Sequence, residues 1–377
     1  MCKPSDLPES TEEDSPKDDV QQFFSGRSLR KISVWFHRVH CIDYCLSQLR
    51  FAMKRNLVLS VITAALVVVL ATVFSFSWPQ NQAVTAVNHS SDRPVAQSNV
   101  IAPEPNFDSY WNQGQAELTS YTLEQARYGE LHQGSAVMVF VTEPFSQSKQ
   151  VKLDDYANAG SDRVPVLKLN ATKKFNTGVY PYSMMASSFS PIDLATHPHA
   201  LKITSSSQEW CGQTFAQVNN RDRNYQVQLN SYFEAEGDEN FTVDKTWLED
   251  ELWSRIRINP ASLPTGDLSV LPSLWYTRLR HRPFEATAAT ATITDDAADP
   301  SLKIYALNYP SQSRSLSIHF AAKFPHEIQS WEETHLSGFG RPQPLTTKAT
   351  LNQRIMSDYW NRNSNADSAL RQELGLS

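Results

Sequence analysis

Ser315-Leu316-Ser317-Ile318-His319-Phe320 alternates polar and apolar side chains without a break. Successive side chains of a strand point to opposite faces, so this stretch predicts a β-strand that buries Leu316, Ile318 and Phe320 on one side. Working outward, Leu302, Ile304 and Ala306 alternate with Lys303, Tyr305 and Leu307. Tyr225, Val227, Leu229 and Phe233 alternate with Gln226, Gln228, Asn230 and Tyr232. Ser135 to Val141 is a continuous apolar run, which suits a strand covered on both faces. His132, Gln133 and Gly134 before it predict a hairpin turn after a strand ending near Leu131. Further strands are expected over 119–131, 164–170, 178–189, 200–205, 212–219, 274–280, 285–294 and 322–331. About ten strands joined by short polar turns predict a mainly β protein. The expected form is an antiparallel meander curved into an open barrel or sandwich over 107–338.

One helix interrupts the pattern. Thr246-Trp247-Leu248-Glu249 has the form of a capping box, Leu248, Leu252 and Ile256 share a face, and Pro260 closes the segment. With Trp247 and Trp253 added, helix 246–256 carries more apolar surface than a solvent-facing helix tolerates, and it is expected in the concavity of the strands. Leu351, Ile355 and Tyr359, at steps of four, predict a helical tail over 339–377 that ends in Leu370, Leu374 and Leu376.

Ahead of the β region lies an uncharged run, Leu57 to Trp78. About 20 helical residues cross a hydrocarbon core near 30 Å, so 57–78 is expected to span a membrane, with Trp78 at headgroup level and Pro79 ending the helix. Residues 27–55 carry Arg27, Arg30, Lys31, Arg38, Arg50, Lys54 and Arg55 against Asp43. That basic excess places the N-terminal side in the cytoplasm and the C-terminal domain outside. A signal-anchor is expected rather than a cleaved signal peptide, whose apolar core is shorter. Residues 1–26, acidic and polar, are expected to be disordered. Residues 27–56 are expected to form a basic amphipathic juxtamembrane helix. Its stripe of Ile32, Trp35, Val39, Ile42, Leu46, Leu49 and Met53 suits the lipid surface or self-association through 32–53. The proline-punctuated 79–106 reads as a flexible linker.

The net charge of −6 and a mean hydropathy of −0.43 imply neither nucleic acid nor a multispan architecture. Cysteines stand at Cys2, Cys41, Cys45 and Cys211, and only Cys211 falls on the outer side, without an intrachain partner there. It is the weak catalytic candidate, since a nucleophilic thiol needs a base such as histidine. The ordinary alternative is a packed, inert thiol beside Trp210. The acidic stretch 234–240 lacks the spacing of a calcium loop and reads as a strand-turn tip. Arg255, Arg257, Arg278, Arg280, His281 and Arg282 form a basic cluster that suits an anion or nearby acids. No motif for a metal, phosphate or cofactor occurs, so no cofactor is expected. The non-catalytic route to function is a groove lined by Trp247, Leu248, Leu252, Trp253 and Trp210, suited to an apolar ligand.

Several stretches resemble one family: Phe107-Asp108-Ser109-Tyr110-Trp111, Ala126-Arg127-Tyr128-Gly129-Glu130, Val139 to Glu143, Lys173 to Ser183, Gln208 to Gly212 and Ser231 to Glu234. They are similar to an uncharacterised bacterial envelope family, often lipid-anchored and often labelled "septum formation inhibitor Maf". The resemblance runs over roughly 107–376. It implies an envelope protein, whereas the label implies a cytosolic α/β nucleotide pyrophosphatase whose Ser-rich, Arg-containing opening has no match here. The expectation is a single-pass inner-membrane protein with a periplasmic binding or scaffold domain for an envelope component. The alternative is a thiol-dependent hydrolase or transferase centred on Cys211.

Overall fold

In the computed structural model, residues 102–376 are described. The expectations for 1–26, 27–56 and 57–78, and most of the linker, lie outside these residues. No helix among the described residues is long and apolar enough to cross a membrane.

Among the described residues, fifteen strands join in a single sheet. On one side of the first hairpin run β1 (Ala116–Arg127), β2 (Glu130–Ser146), β3 (Arg163–Thr177), β4 (Tyr180–Pro191), β5 (Lys202–Glu209), β6 (Gly212–Asn220), β7 (Asn224–Ser231) and β8 (Glu239–Asp244). The second run comprises β9 (Trp247–Leu248), β10 (Gly266–Leu271), β11 (Thr287–Asp295), β12 (Leu302–Tyr309), β13 (Arg314–Ala321), β14 (Ile328–Ser337) and β15 (Gln343–Ser357). Each strand pairs with its sequence neighbour, and β15 returns antiparallel to β1, with Leu123 opposite Ala349. Every pairing is antiparallel except β9 with β10. The sheet is open, with β8 and β9 at its edges.

The alternation seen in sequence is the inside–outside rule of this sheet. Leu316, Ile318 and Phe320 of β13 are buried beside Tyr305 and Leu307 of β12. The α-helices among the described residues are α1 (Phe107–Trp111), α2 (Glu249–Ile258), α3 (Leu274–Arg280) and α4 (Ala369–Glu373). Leu252, Ile256 and Ile258 of α2 join one apolar cluster with residues of β1 to β4 and β10 to β15. The sheet therefore curls around α2. A second cluster sets Val218, Tyr225 and Val227 against Leu248, Leu271, Leu274 and Phe284. The two ends of the sheet thus meet through side chains, without a strand ladder between β8 and β9.

Helix α2 is buried although half of its ten residues are charged, and each charge has a partner. At its N-terminus Glu249 accepts both guanidinium arms of Arg314 at 2.6 Å and the Tyr309 hydroxyl at 2.6 Å. At its C-terminus Arg257 donates to both Glu117 oxygens at 2.6 and 2.7 Å. Acid at the N-terminus and base at the C-terminus both agree with the helix dipole. Between them, Glu251 accepts from Ala200 N at 2.5 Å and from Leu248 N at 3.2 Å. Arg255 donates to the Ser262 and Pro198 carbonyls.

Five expectations need correction. The first hairpin turns at Tyr128-Gly129, not at 132–134, because those two residues take φ of 56° and 89°. That is the left-handed pair a two-residue hairpin requires. Gly134 lies mid-strand, where a Cβ would run into the Lys174 carbonyl of β3. Segment 274–280 is helical, started by Ser273, whose hydroxyl accepts from Trp275 N. The expected strand 322–331 begins only at Ile328, with a turn through Pro325 before it. The expected helical tail is mostly β15, and only the short α4 follows it. A step of four is also twice the strand period, so Leu351 and Ile355 fit a strand equally, and pairing with β1 decides. The helix expected at 246–256 starts three residues later, because Trp247 and Leu248 pair with Val270 and Leu271.

Candidate functional site

Between α2, α3 and the inner face of the sheet lies a narrow cavity of about 40 Å³. Its apolar wall includes Met138, Leu169, Leu316, Trp253, Trp275 and Trp331, and its polar groups include Lys173, Glu249, Asp250 and Glu333. Room for a water takes about 10–15 Å³ on this measure, so the closed site holds a few waters at most.

Lys173 stands on the inward phase of β3, between Ala171 and Phe175, and is 3% exposed. Among the described residues its amine donates only to Gln125 Oε1, at 3.3 Å, and it lies 4.8 Å from the Trp275 ring centre. No carboxylate pairs with it among the described residues. Burial pushes its pKa below the ordinary lysine range, against the pull of Glu333. The Trp275 indole N–H is buried with no hydrogen-bond partner among the described residues. Two donors thus line one aromatic cavity with only one hydrogen bond between them.

The acids divide by environment. Burial pushes Asp250 up to about 6, although Leu274 N donates to it at 2.9 Å. Burial acts the same way on Glu333, but Arg314 and then Lys173 outweigh it and hold that carboxyl down to about 2. Arg314 Nε donates to Glu333 at 2.7 Å while its other arms hold Glu249. One arginine therefore fixes the helix and a cavity carboxylate together.

The residues singled out from sequence do not form one groove. Leu248 and Leu252 are buried, Trp253 lines the cavity, and Trp247 packs edge-on to His199 and under Arg255. Trp210 lies apart, exposed at the β5–β6 turn with its ring beside Tyr180. Cys211 follows it and is exposed rather than packed. Its backbone N–H donates to Glu209, and the Glu209 carboxylate pushes the thiol pKa up, which suppresses thiolate. The basic cluster also separates: Arg255 and Arg257 belong to α2, Arg278 and Arg280 to the end of α3. In 234–240, Glu236 bonds to His281 and Ser231, and Asp238 accepts from Ser231 N. No group of acids, histidines or cysteines among the described residues is arranged to hold a metal ion.

Lys173 and Glu333 were missed in the sequence, although a signal was present. Each sits on the buried phase of its strand, Glu333 between Trp331 and His335. A charge on an apolar phase marks a buried polar site.

No family model and no curated protein matches this chain. Among solved structures it is similar to the crystal structure of a β-barrel-like protein of domain of unknown function DUF1849 from Brucella abortus. That likeness has a TM-score of 0.37 and 8% identity, and covers 64% of this chain and 97% of that one. At this distance it bears on neither function nor site.

Proposed function

We propose that the chain is a membrane-anchored periplasmic binding protein of a bacterial envelope, tethered by 57–78, whose ligand enters the cavity between α2, α3 and the sheet. The observation that carries this reading is the Lys173 amine lying beside the Trp275 ring, whose buried N–H is unpartnered among the described residues, in an aromatic wall. Two under-used donors beside apolar surface suit a small amphiphile with an acceptor head group. The closed cavity is too small for such a body, so entry requires α3 to move away from β4 and β5. The enzyme reading draws no support from the surroundings of Cys211, where the neighbouring carboxylate works against thiolate formation.

Thermal unfolding of the purified full chain, with a panel of single-chain fatty acids and lysophospholipids, tests the proposal. A ligand that binds only the folded state raises the midpoint with concentration. The expected result is a rise for at least one amphiphile that disappears in Lys173→Met, while the unliganded variant remains folded. A full panel without a shift, or a shift that survives Lys173→Met, overturns it.

A further inference from the structure

Strand β8 is an edge of the sheet. Among the described residues it pairs with β7 alone, Phe241 opposite Val227 and Val243 opposite Tyr225. Alternate residues of an edge strand turn their N–H and C=O groups away from the neighbouring strand. Along β8 those outward groups have no backbone partner among the described residues. Such an edge templates further pairing, and proteins blunt it with a lysine, a proline or a bulge. The centre of β8, Asn240-Phe241-Thr242-Val243, holds neither lysine nor proline, and its pairing with β7 runs without a shift of register. The opposite edge is much shorter, since β9 has only two residues and Leu248 is buried.

The side chains of 239–245 are complementary when the segment is read against itself. About Thr242, Phe241 mirrors Val243, Asn240 mirrors Asp244 and Glu239 mirrors Lys245. Phe241 and Val243 turn to the inner face, half-buried against the cluster where the ends of the sheet meet. Asn240, Thr242 and Asp244 belong to the other face and are exposed. Glu239 is exposed, and its side chain has no partner among the described residues. Lys245 is exposed too, and among the described residues its amine donates only to the Asp222 carbonyl, at 3.0 Å.

We propose that β8 pairs antiparallel with β8 of a second copy of this chain, about a twofold axis through Thr242. A twofold contact is isologous, so every residue of the segment meets its mirror. Phe241 then lies opposite the partner's Val243, Glu239 opposite the partner's Lys245, and Thr242 opposite itself. Aromatic–β-branched and opposite-charge pairs stabilise neighbouring strands, whereas like charges destabilise them. Asn240 sets an amide donor opposite the partner's Asp244, a carboxylate that accepts from Asn224 Nδ2 in its own copy. Moving the axis by one residue removes the match. An axis at Phe241 sets Asp238 against the partner's Asp244, and one at Val243 sets Phe241 against the partner's Lys245. Directly opposed residues share a face, so the inner faces of the two sheets stay on one side. The contact involves neither the cavity nor its ligand.

Disulfide trapping tests the proposal in the full chain, solubilised in detergent, with Cys2, Cys41, Cys45 and Cys211 changed to Ser. A residue on the axis has its Cβ about 5 Å from that of its own copy, near the reach of a disulfide. Asn240 and its copy stand four residues apart along the strands, about 13 Å, which is beyond that reach. Thr242→Cys is therefore expected to form a covalent dimer roughly tenfold faster than Asn240→Cys. Glu239→Lys sets lysine against lysine and should slow trapping of Thr242→Cys about fivefold, and adding Lys245→Glu should restore it. All four positions are exposed in the single copy, so these changes leave its core untouched. Absence of a Thr242→Cys dimer overturns the proposal. Equal trapping at Asn240→Cys overturns it as well, since random collision or another register produces that result. So does a charge reversal without effect. Trapping that is lost in Ile42→Asp assigns the association to 32–53 instead.

Discussion

At the residue scale, the cavity acids have opposite pH dependence. Asp250 is raised to about 6 from an ordinary value near 3.8, so the folded state binds its proton more tightly than the unfolded chain. Its contribution to stability falls as pH rises between about 4 and 6, and near neutrality it costs on the order of 3 kcal/mol. Asn retains an oxygen for Leu274 N without the charge. Asp250→Asn is therefore expected to be more stable at pH 7, with the gain vanishing by about pH 4. Urea unfolding at a series of pH values checks this, and curves that stay parallel to the parent would refute it. Glu333 has the reverse sign. Its folded pKa is held near 2 against 4.5, so the stability it contributes is lost as pH falls through that window, and Glu333→Gln should flatten the acid limb. Neither value was legible in the sequence. The inward phase of Lys173 and Glu333 is visible there, but the arginine that holds Glu333 comes from the strand beside it, and alternation alone does not reveal a partner's register.

At the element scale, α2 is tied at both ends by buried bidentate arginine–carboxylate pairs. Removing one partner leaves an uncompensated buried charge, which costs roughly 3–5 kcal/mol, whereas an apolar replacement of both is often neutral. Glu117→Gln is expected to destabilise by about that amount, and Glu117→Leu/Arg257→Met to recover most of it. Unfolding midpoints of the two variants decide, and a double variant no better than the single one would show that the pair itself contributes net stability. The sequence located α2 through Leu252 and Ile256, which are buried as their spacing implied. It also spelled out the polarity of the helix, acids at 249–251 and arginines at 255 and 257, which matches the dipole. Most strands were legible because one face is covered and the other wet, as in Leu316 to Phe320. The misread elements are those where periods coincide or a local signal is outcompeted. Leu351 and Ile355 fit helix and strand alike, and the Thr246 cap lost to a two-residue pairing with β10.

At the scale of the whole molecule, the sheet closes without a final ladder. Its two ends meet through Val218, Tyr225 and Val227 on one side and Leu248, Leu271, Leu274 and Phe284 on the other, with the Tyr225 hydroxyl bonded to the Thr246 carbonyl. Parting this contact breaks no strand-to-strand hydrogen bond. The expected consequence is that amides of β5 to β8 exchange with solvent sooner than those of β1 to β3. Phe284→Ala should speed the former and leave the latter unchanged. Hydrogen exchange that is uniform across the sheet would contradict this. A closed barrel has no such line of separation, since every strand is hydrogen-bonded on both sides. The behaviour expected of β5 to β8 is that of a leaf, hinged along β4 and latched by Phe284 and its apolar neighbours. Since α3 packs on β4 and β5, loosening the latch also releases the lid of the cavity. The unpaired ends of the sheet thus give the interior a doorway.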